Sequence, residues 1–422
     1  MDITSKQIYV SIQIGSNEVK ILVSEYFNTR FNIIHCERLE SNAINDFKVV
    51  DKDQLVKDIK KIVESCSNKI GASVQEAILL IPAYNFKRFA MKSTVFTDKG
   101  YLTKEDVARA VNNSLRTKVD NDVLIVNSLV TRYTINGIST RRFPEKEACE
   151  ECVVDLDLLC ADKEVTYNYV DAVEKAGIKV LDIALNSYAV CKEAALLDES
   201  LKKNIILLDI NCECTYLSLL SKGKLISTEV VFDGLNSIVD ATFKKYHIPK
   251  KDIKKIVKYN VNYNTEFKDD IVYAYSESGQ SNTISANDLN ECIEKPLDAL
   301  VDKYVTLCRP ILEQGAELVL TGEGKQMQML VDKLEEKMGC KIKTYYPDTI
   351  GVRDPSLTAL YGSCFVFREK ALMNNISVNC IDMIAYDSHI EHKEFDSEGE
   401  TITTKIKNLF KQYIDGGQNN DN

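Results

Sequence analysis

One pattern occurs twice in this chain, about two hundred residues apart, and it restricts the architecture more than any other feature of the sequence. In the first copy Ile8 to Ile14 alternates apolar and polar side chains, Gly15-Ser16-Asn17 makes a turn, Val19 to Ser24 resumes the alternation, and Phe31 to Arg38 adds a third strand. In the second, Ile205 to Ile210 is followed by the turn Asn211-Cys212-Glu213, then by Thr215 to Leu220 and Lys224 to Phe232. Period-two runs divided by short turns form β-meanders. Helical spacing follows each meander, through Leu55, Ile59, Ile62 and Val63 in Gln54 to Ser65, and again over Ser237 to Tyr246. A chain of 422 residues is also too long for one ordinary core. The expectation is two sheet-plus-helix lobes with a cleft between them; two unrelated α/β domains are the alternative.

Between the copies lies a stretch with its own logic. Ala77 to Pro82, Phe86 to Phe96 and Val123 to Asn136 have strand character. Thr103 opens a helix that runs to about Arg116, with Glu105 and Asp106 placed to favour its dipole. This predicts a small α+β subdomain inserted over 75–160, with the first lobe formed by 1–74 and 161–203 and the second by 204–362.

The formal net charge of −10 argues against general nucleic-acid binding, which depends on clustered cations. The opening residues are polar and lead directly into strand, unlike a secretory leader. The 13 cysteines are therefore expected to be free thiols. Cys149 and Cys152 have zinc-like spacing, but Cys212 and Cys214 do not complete a four-ligand set, so no metal is expected. No apolar run reaches the roughly 20 residues of a membrane-spanning helix. A place in the cytosol, or on the membrane from its cytosolic side, is the expectation.

Five segments, in order, resemble the bacterial cell-division protein family FtsA: Leu79-Leu80-Ile81-Pro82-Ala83-Tyr84-Asn85, Leu102-Thr103-Lys104-Glu105-Asp106-Val107-Ala108-Arg109-Ala110, Val173-Glu174-Lys175-Ala176-Gly177-Ile178, Leu320-Thr321-Gly322-Glu323-Gly324, and Val352-Arg353-Asp354-Pro355-Ser356 with Ala359 and Gly362. The resemblance implies an actin/Hsp70-like (ribonuclease H-like) α/β fold in which the insertion is subdomain 1C. It also implies self-association as an actin-like polymer, partnership with the tubulin-like protein FtsZ and other division proteins, and placement at the division site. FtsZ's C-terminal peptide would dock on subdomain 2B, within about 235–310.

An actin-type cleft holds ATP and magnesium between two glycine hairpins, each carrying an Asp that orients the metal through water. Here Gly15 and Ser16 match the first hairpin, but Gln13 replaces the Asp and Glu18 the usual Lys. In the second, Asp209 and Thr215 match, whereas Asn211, Cys212 and Glu213 replace glycines and Tyr216 replaces the last Asp. Gly234, Gly322 and Gly324 complete the nucleotide-binding set that the resemblance implies, with Glu323 displacing a glycine. A carboxylate about 4 Å from a phosphate costs on the order of 4 kcal/mol at moderate screening. Glu18, Glu213 and Glu323 therefore argue against tight ATP binding, and the chain is not expected to be an ATPase. On the competing reading Asp209, Gly322 and Gly324 serve only their turns. No histidine cluster, P-loop or nucleophile elbow suggests other chemistry.

Residues 363–400 read as a last helix followed by a polar, acidic tether, in which Ile381 to Ile384 is apolar enough to dock. Beyond it Ile402, Ile406, Leu409, Phe410, Tyr413 and Ile414 fall on one helical face, with Lys405, Lys407 and Lys411 beside or opposite it. Gly416-Gly417 ends the helix, and 416–422 is expected to be disordered. A helix packed on its own body is the plain alternative. The acidic tether, together with the membrane-targeting helix that the resemblance places here, favours anionic lipid instead. Two rivals remain: a PilM-like pilus-assembly adaptor, which would lack such a helix, and an Hsp70-class ATPase, which would turn over ATP.

Overall fold

The computed structural model describes residues 6–260, 269–277, 280–347, 349, 351 and 353–398. The first meander is β1 (Gln7–Ile14), β2 (Glu18–Phe27) and β3 (Arg30–Glu40), followed by α1 (Lys52–Ile70) and β4 (Glu76–Ile81). Apolar positions Leu55, Ile59, Ile62, Val63 and Cys66 put one face of α1 into the core. Asp51 caps the helix start, and Gly71, in the left-handed conformation, ends it. The insertion contains β5 (Lys87–Phe96), α2 (Lys104–Ser114), β6 (Val123–Ile135), β7 (Ile138–Thr140) and β8 (Glu151–Asp162). The chain returns to lobe 1 through α3 (Lys163–Lys175), β9 (Lys179–Leu185) and α4 (Asn186–Glu193).

Lobe 2 repeats the plan with β10 (Ile205–Ile210), β11 (Thr215–Ser221) and β12 (Lys224–Val231), then α5 (Asn236–Tyr246) and α6 (Lys250–Asn260). A hairpin of β13 (Ile271–Glu277) and β14 (Gln280–Ser285) precedes the long α7 (Ala286–Leu312), β15 (Glu317–Thr321), α8 (Gln328–Met338) and β16 (Lys343–Thr344). Helix α9 (Thr358–Met373) crosses back to lobe 1, and α10 (Met383–Glu398) follows.

The two main sheets have the same topology. Lobe 1 runs β9-β4-β1-β2-β3 and lobe 2 runs β16-β15-β10-β11-β12, antiparallel in the meander and parallel beyond it. The repeat in the sequence is thus a repeat in space, and the fold is the two-lobed α/β arrangement of actin and Hsp70. Each turn linking the first two strands of a meander faces the interlobe cleft. One large apolar cluster fills lobe 1 and continues onto the lobe 2 sheet through Ile205, Leu207, Tyr216, Leu220 and Val319, a second fills the rest of lobe 2, and a smaller one lies under the insertion's sheet.

Two boundaries differ from expectation. Residues 76–81, expected to open the insertion, form β4 beside β1 in the lobe 1 sheet. Their unbroken apolar run Ala77 to Ile81 suits a strand buried on both faces. Conversely β8, absent from the sequence reading, is the strand around which β5 and β6 pair. The acidic segment after α9 is also anchored at its start. Gln7 Nε2 donates to Ser377 (2.8 Å), the Ile8 amide to Asn379 Oδ1 (2.8 Å), and Ile381 bridges to Val74. Cys380, Ile381 and Tyr386 are buried, which gives the short apolar cluster its docking place, although Ile384 itself points outward. His389, in the polar segment after α9, packs its ring over Gly71, where a Cβ would lie 2.1 Å from it.

Candidate functional site: the interlobe cleft

Both meander turns reach the cleft and meet there. In the first, the Gly15 amide donates to the Glu18 carbonyl (2.8 Å), closing a tight hairpin. In the second, the Asn211 amide donates to the Cys214 carbonyl (3.1 Å). The side chains that replaced glycine point into the gap. Glu213 Oε1 accepts from Asn17 Nδ2 of lobe 1 and from Asn236 Nδ2 of lobe 2, each at 2.5 Å. Cys212 Sγ donates to Glu323 Oε2 at 2.5 Å. Arg38, from β3, reaches across to Glu323 (3.4 Å) and also holds Asp354 (2.7 Å) and Ser356. The cleft is tied shut by its own residues.

The position of the final Asp has been given to an aromatic ring. Tyr216 is buried and stacks on Phe47 at 6.1 Å with planes 26° apart. Phe47 also meets Tyr84 and Phe232, so rings from both lobes and the base of the insertion form one cluster. Tyr169 donates to the Phe47 carbonyl (2.9 Å), fixing the loop that carries it.

The electrostatics follow from this filling. Glu18, Glu40, Asp209, Glu213 and Glu323 line the cleft, against Lys20 and Lys254. Burial would raise the Glu18 carboxyl, but Lys20 at 2.6 Å, with Arg38 and Lys254, holds it below the usual range. Lys254 is desolvated, yet Cys212, Glu323, Glu18 and Glu213 around it raise its affinity for the proton. Asp209 is pushed up to about 6, first by burial and then by Glu323, against the Asn211 hydrogen bond (3.0 Å) and Lys20. Burial likewise pushes the Cys214 thiol up to about 12, so it stays protonated and inert at neutral pH.

In this arrangement the cleft leaves little room for ATP with magnesium. The remaining cavity is about 80 Å³, against roughly 300–1,000 Å³ for small-molecule sites. A polyphosphate would enter a gap where carboxylates outnumber ammonium groups five to two. Its backbone cradle is blocked by the side chains of Cys212 and Glu213. One feature points the other way: Gln13 Oε1 is buried with no hydrogen-bond partner among the described residues. A single donor, such as one water, would satisfy it.

The residues expected to hold nucleotide divide into two groups. Gly15, Ser16 and Asp209 do line the cleft. The others serve packing. Thr215 is buried, donating to the Asp233 carbonyl (3.0 Å) and sharing a 2.5 Å hydrogen bond with Tyr304. A Cβ on Gly234 would lie 2.2 Å from the Asn211 carbonyl oxygen, on Gly322 2.5 Å from Asp209 Oδ1, and on Gly324 2.7 Å from Ile210 Cβ. Sequence reasoning gave no role to Asn17, although it lies in the first turn, and missed Lys20, Arg38, Phe47, Asn236 and Lys254, which belong to no motif and meet only through folding. The residues expected to bind membrane, Ile402, Lys405, Ile406, Leu409, Phe410, Lys411, Tyr413 and Ile414, and the tail 416–422, lie outside the described residues. Among the described residues no helix is long and apolar enough to cross a membrane.

No protein-family model matches the chain. It is 23% identical to the cell division protein FtsA of Enterococcus hirae over 97% of this chain and 99% of that protein. It is 24% identical to the cell division protein FtsA of Bacillus subtilis over 83% of this chain and 81% of that one. A solved structure of the PilM-PilN type IV pilus biogenesis complex superposes with a TM-score of 0.54 at 14% identity, covering 85% of this chain and 98% of the solved chain. The chain is an actin/Hsp70-fold protein distantly related to FtsA.

Proposed function

We propose that this protein is an FtsA-like division adaptor that joins FtsZ filaments to the cytoplasmic face of the membrane and assembles with copies of itself, without hydrolysing ATP. The relation to FtsA along nearly the full length of both proteins is the observation that carries the reading. The self-filled cleft supports its second half, because a scaffold whose lobes are bridged by Glu213 and Arg38 needs no nucleotide to hold them together. In this reading the helix over 401–415 enters anionic lipid, and subdomain 2B, within about 235–310, receives the FtsZ tail. One such helix binds weakly, since a lysine near an anionic surface adds only about 1 kcal/mol. Polymerisation on FtsZ supplies the rest through avidity.

Co-sedimentation with phosphatidylglycerol vesicles, with and without residues 401–422, tests the membrane role. The full chain should pellet and recruit FtsZ, and the truncated chain should do neither; equal pelleting by both refutes the anchor. A phosphate-release assay with ATP and magnesium should show no turnover above buffer. Turnover abolished by Asp209→Ala would instead favour the Hsp70-class reading.

A further inference from the structure

A cluster of positive charge on this acidic chain lies away from the cleft, where the insertion faces lobe 2. Arg88 on β5, Arg132 on β6, Arg141 after β7, and Lys222 and Lys224 at the β11–β12 turn line one cavity of about 750 Å³. Among the described residues two carboxylates answer these five cations. Asp157, nearly fully buried, takes both Nε (3.0 Å) and Nη2 (2.7 Å) of Arg88 and lies 3.6 Å from Lys224. Asp155 takes Arg132 Nε (2.8 Å). Neither Arg141 nor Lys222 has a carboxylate within ion-pair reach among the described residues; Arg141 donates to the Lys222 carbonyl and so holds the two side by side. Among the described residues Arg132 is held by Asp155 through its Nε, which leaves the outer edge of its guanidinium free for a further acceptor.

Charges of one sign gathered in a concave wall repel one another unless a counter-charge joins them, and such walls focus the field on an incoming anion. Leu219, Ile226 and Ile311 add apolar wall, and Thr131, Asn204 and Gln314 add neutral polar groups. The volume lies within the range of small-molecule sites, and guanidinium forks match phosphoryl oxygens in geometry. We propose that this groove between the insertion and lobe 2 binds a compound bearing several phosphoryl groups, with Arg132, Arg141, Lys222 and Lys224 as its donors. The site is separate from the interlobe cleft and does not rest on the adaptor role.

The test is calorimetric titration of the full chain with sodium tripolyphosphate at low ionic strength. Saturable one-to-one binding is expected. The double variant Arg141→Ala, Lys222→Ala should weaken it at least about tenfold, since two charge-assisted contacts are lost. Both side chains are exposed, so an unchanged melting temperature should accompany the loss. Lys254→Ala, inside the interlobe cleft, should leave the affinity as it is. No saturable heat, or a loss seen with Lys254→Ala and not with the double variant, overturns the proposal. Phosphoryl groups also occur on lipid headgroups, so a second arm offers phosphatidylglycerol vesicles to the chain lacking residues 401–422. Tripolyphosphate binding without vesicle binding assigns a free ligand; vesicle binding that the double variant abolishes assigns a headgroup.

Discussion

The turn Gly15-Ser16-Asn17 joins β1 to β2 in the same way that Asn211-Cys212-Glu213 joins β10 to β11, yet the two have been filled differently. The first keeps its glycine, and an added Cβ there would meet only the Glu18 side chain and carbonyl at 3.3 Å. The second has exchanged glycines for side chains that cross the cleft. Elsewhere in lobe 2, Gly234 and Gly322 are glycine, and there an added Cβ would strike backbone oxygen at 2.2 and 2.5 Å. Gly234 and Gly322 stand where protein backbone presses against them, whereas Cys212 and Glu213 stand where the cleft has room for a side chain. On the function proposed above, that difference is what a cleft kept as a packed interface between lobes should show.

Four measurements can break or sharpen this contrast. Gly234→Ala should cost about 3 kcal/mol or more in urea unfolding, because rigid backbone must move to admit the methyl group. Gly15→Ala, in the first meander turn, should cost well under half of that, and equal losses would remove the distinction between the two classes of glycine. Asp209→Asn should stabilise the protein at pH 7.5, by roughly 2 kcal/mol, because a carboxyl raised to about 6 in the fold is charged there at a penalty. The folded state holds this proton more tightly than the unfolded chain does. The penalty is therefore absent below about pH 4 and complete above about pH 6, so the gain in melting temperature should shrink as the pH falls from 8 to 5. A gain that does not vary with pH would show that Asp209 is not the titrating group.

Glu213→Ala removes the shared acceptor of Asn17 and Asn236 and should cost about 1.5 kcal/mol. Small-angle scattering should then report a wider cleft, whereas an unchanged radius of gyration would mean that the aromatic cluster at Phe47 closes the lobes unaided. Thr103→Ala, in the insertion, breaks a capping box in which Thr103 and Asp106 serve each other's backbone amides. It should cost about 1 kcal/mol and leave the scattering curve as it was.

Much of this was legible beforehand where the information is local. The meanders, α1, α2 with its Thr103 cap, and the register of the two lobes follow from period and from turn chemistry that a few neighbouring residues determine. The side of the sheet to which 76–81 belongs did not, because an apolar strand of six residues reads alike in either subdomain. β8 escaped notice because Asp155 and Asp157 interrupt its apolar run, and their pairing with Arg132 and Arg88 is visible only in three dimensions. In the cleft, the departures from the family pattern at 13, 211–213, 216 and 323 could be read from the chain, but not the contacts that their side chains make. Asn17 and Asn236 meet at Glu213 across 219 positions of sequence, counted from 236 back to 17, and nothing in either neighbourhood marks them as partners.

Glu213 has one more consequence. A phosphate that bridges two lobes arrives, is consumed and leaves, and so keeps time for any polymer built on it. A carboxylate fixed to the main chain does none of these things. If copies of this protein assemble as proposed, their filaments carry no record of age: old and new subunits are chemically identical, and growth or shrinkage answers only to how much protein, FtsZ and membrane are at hand.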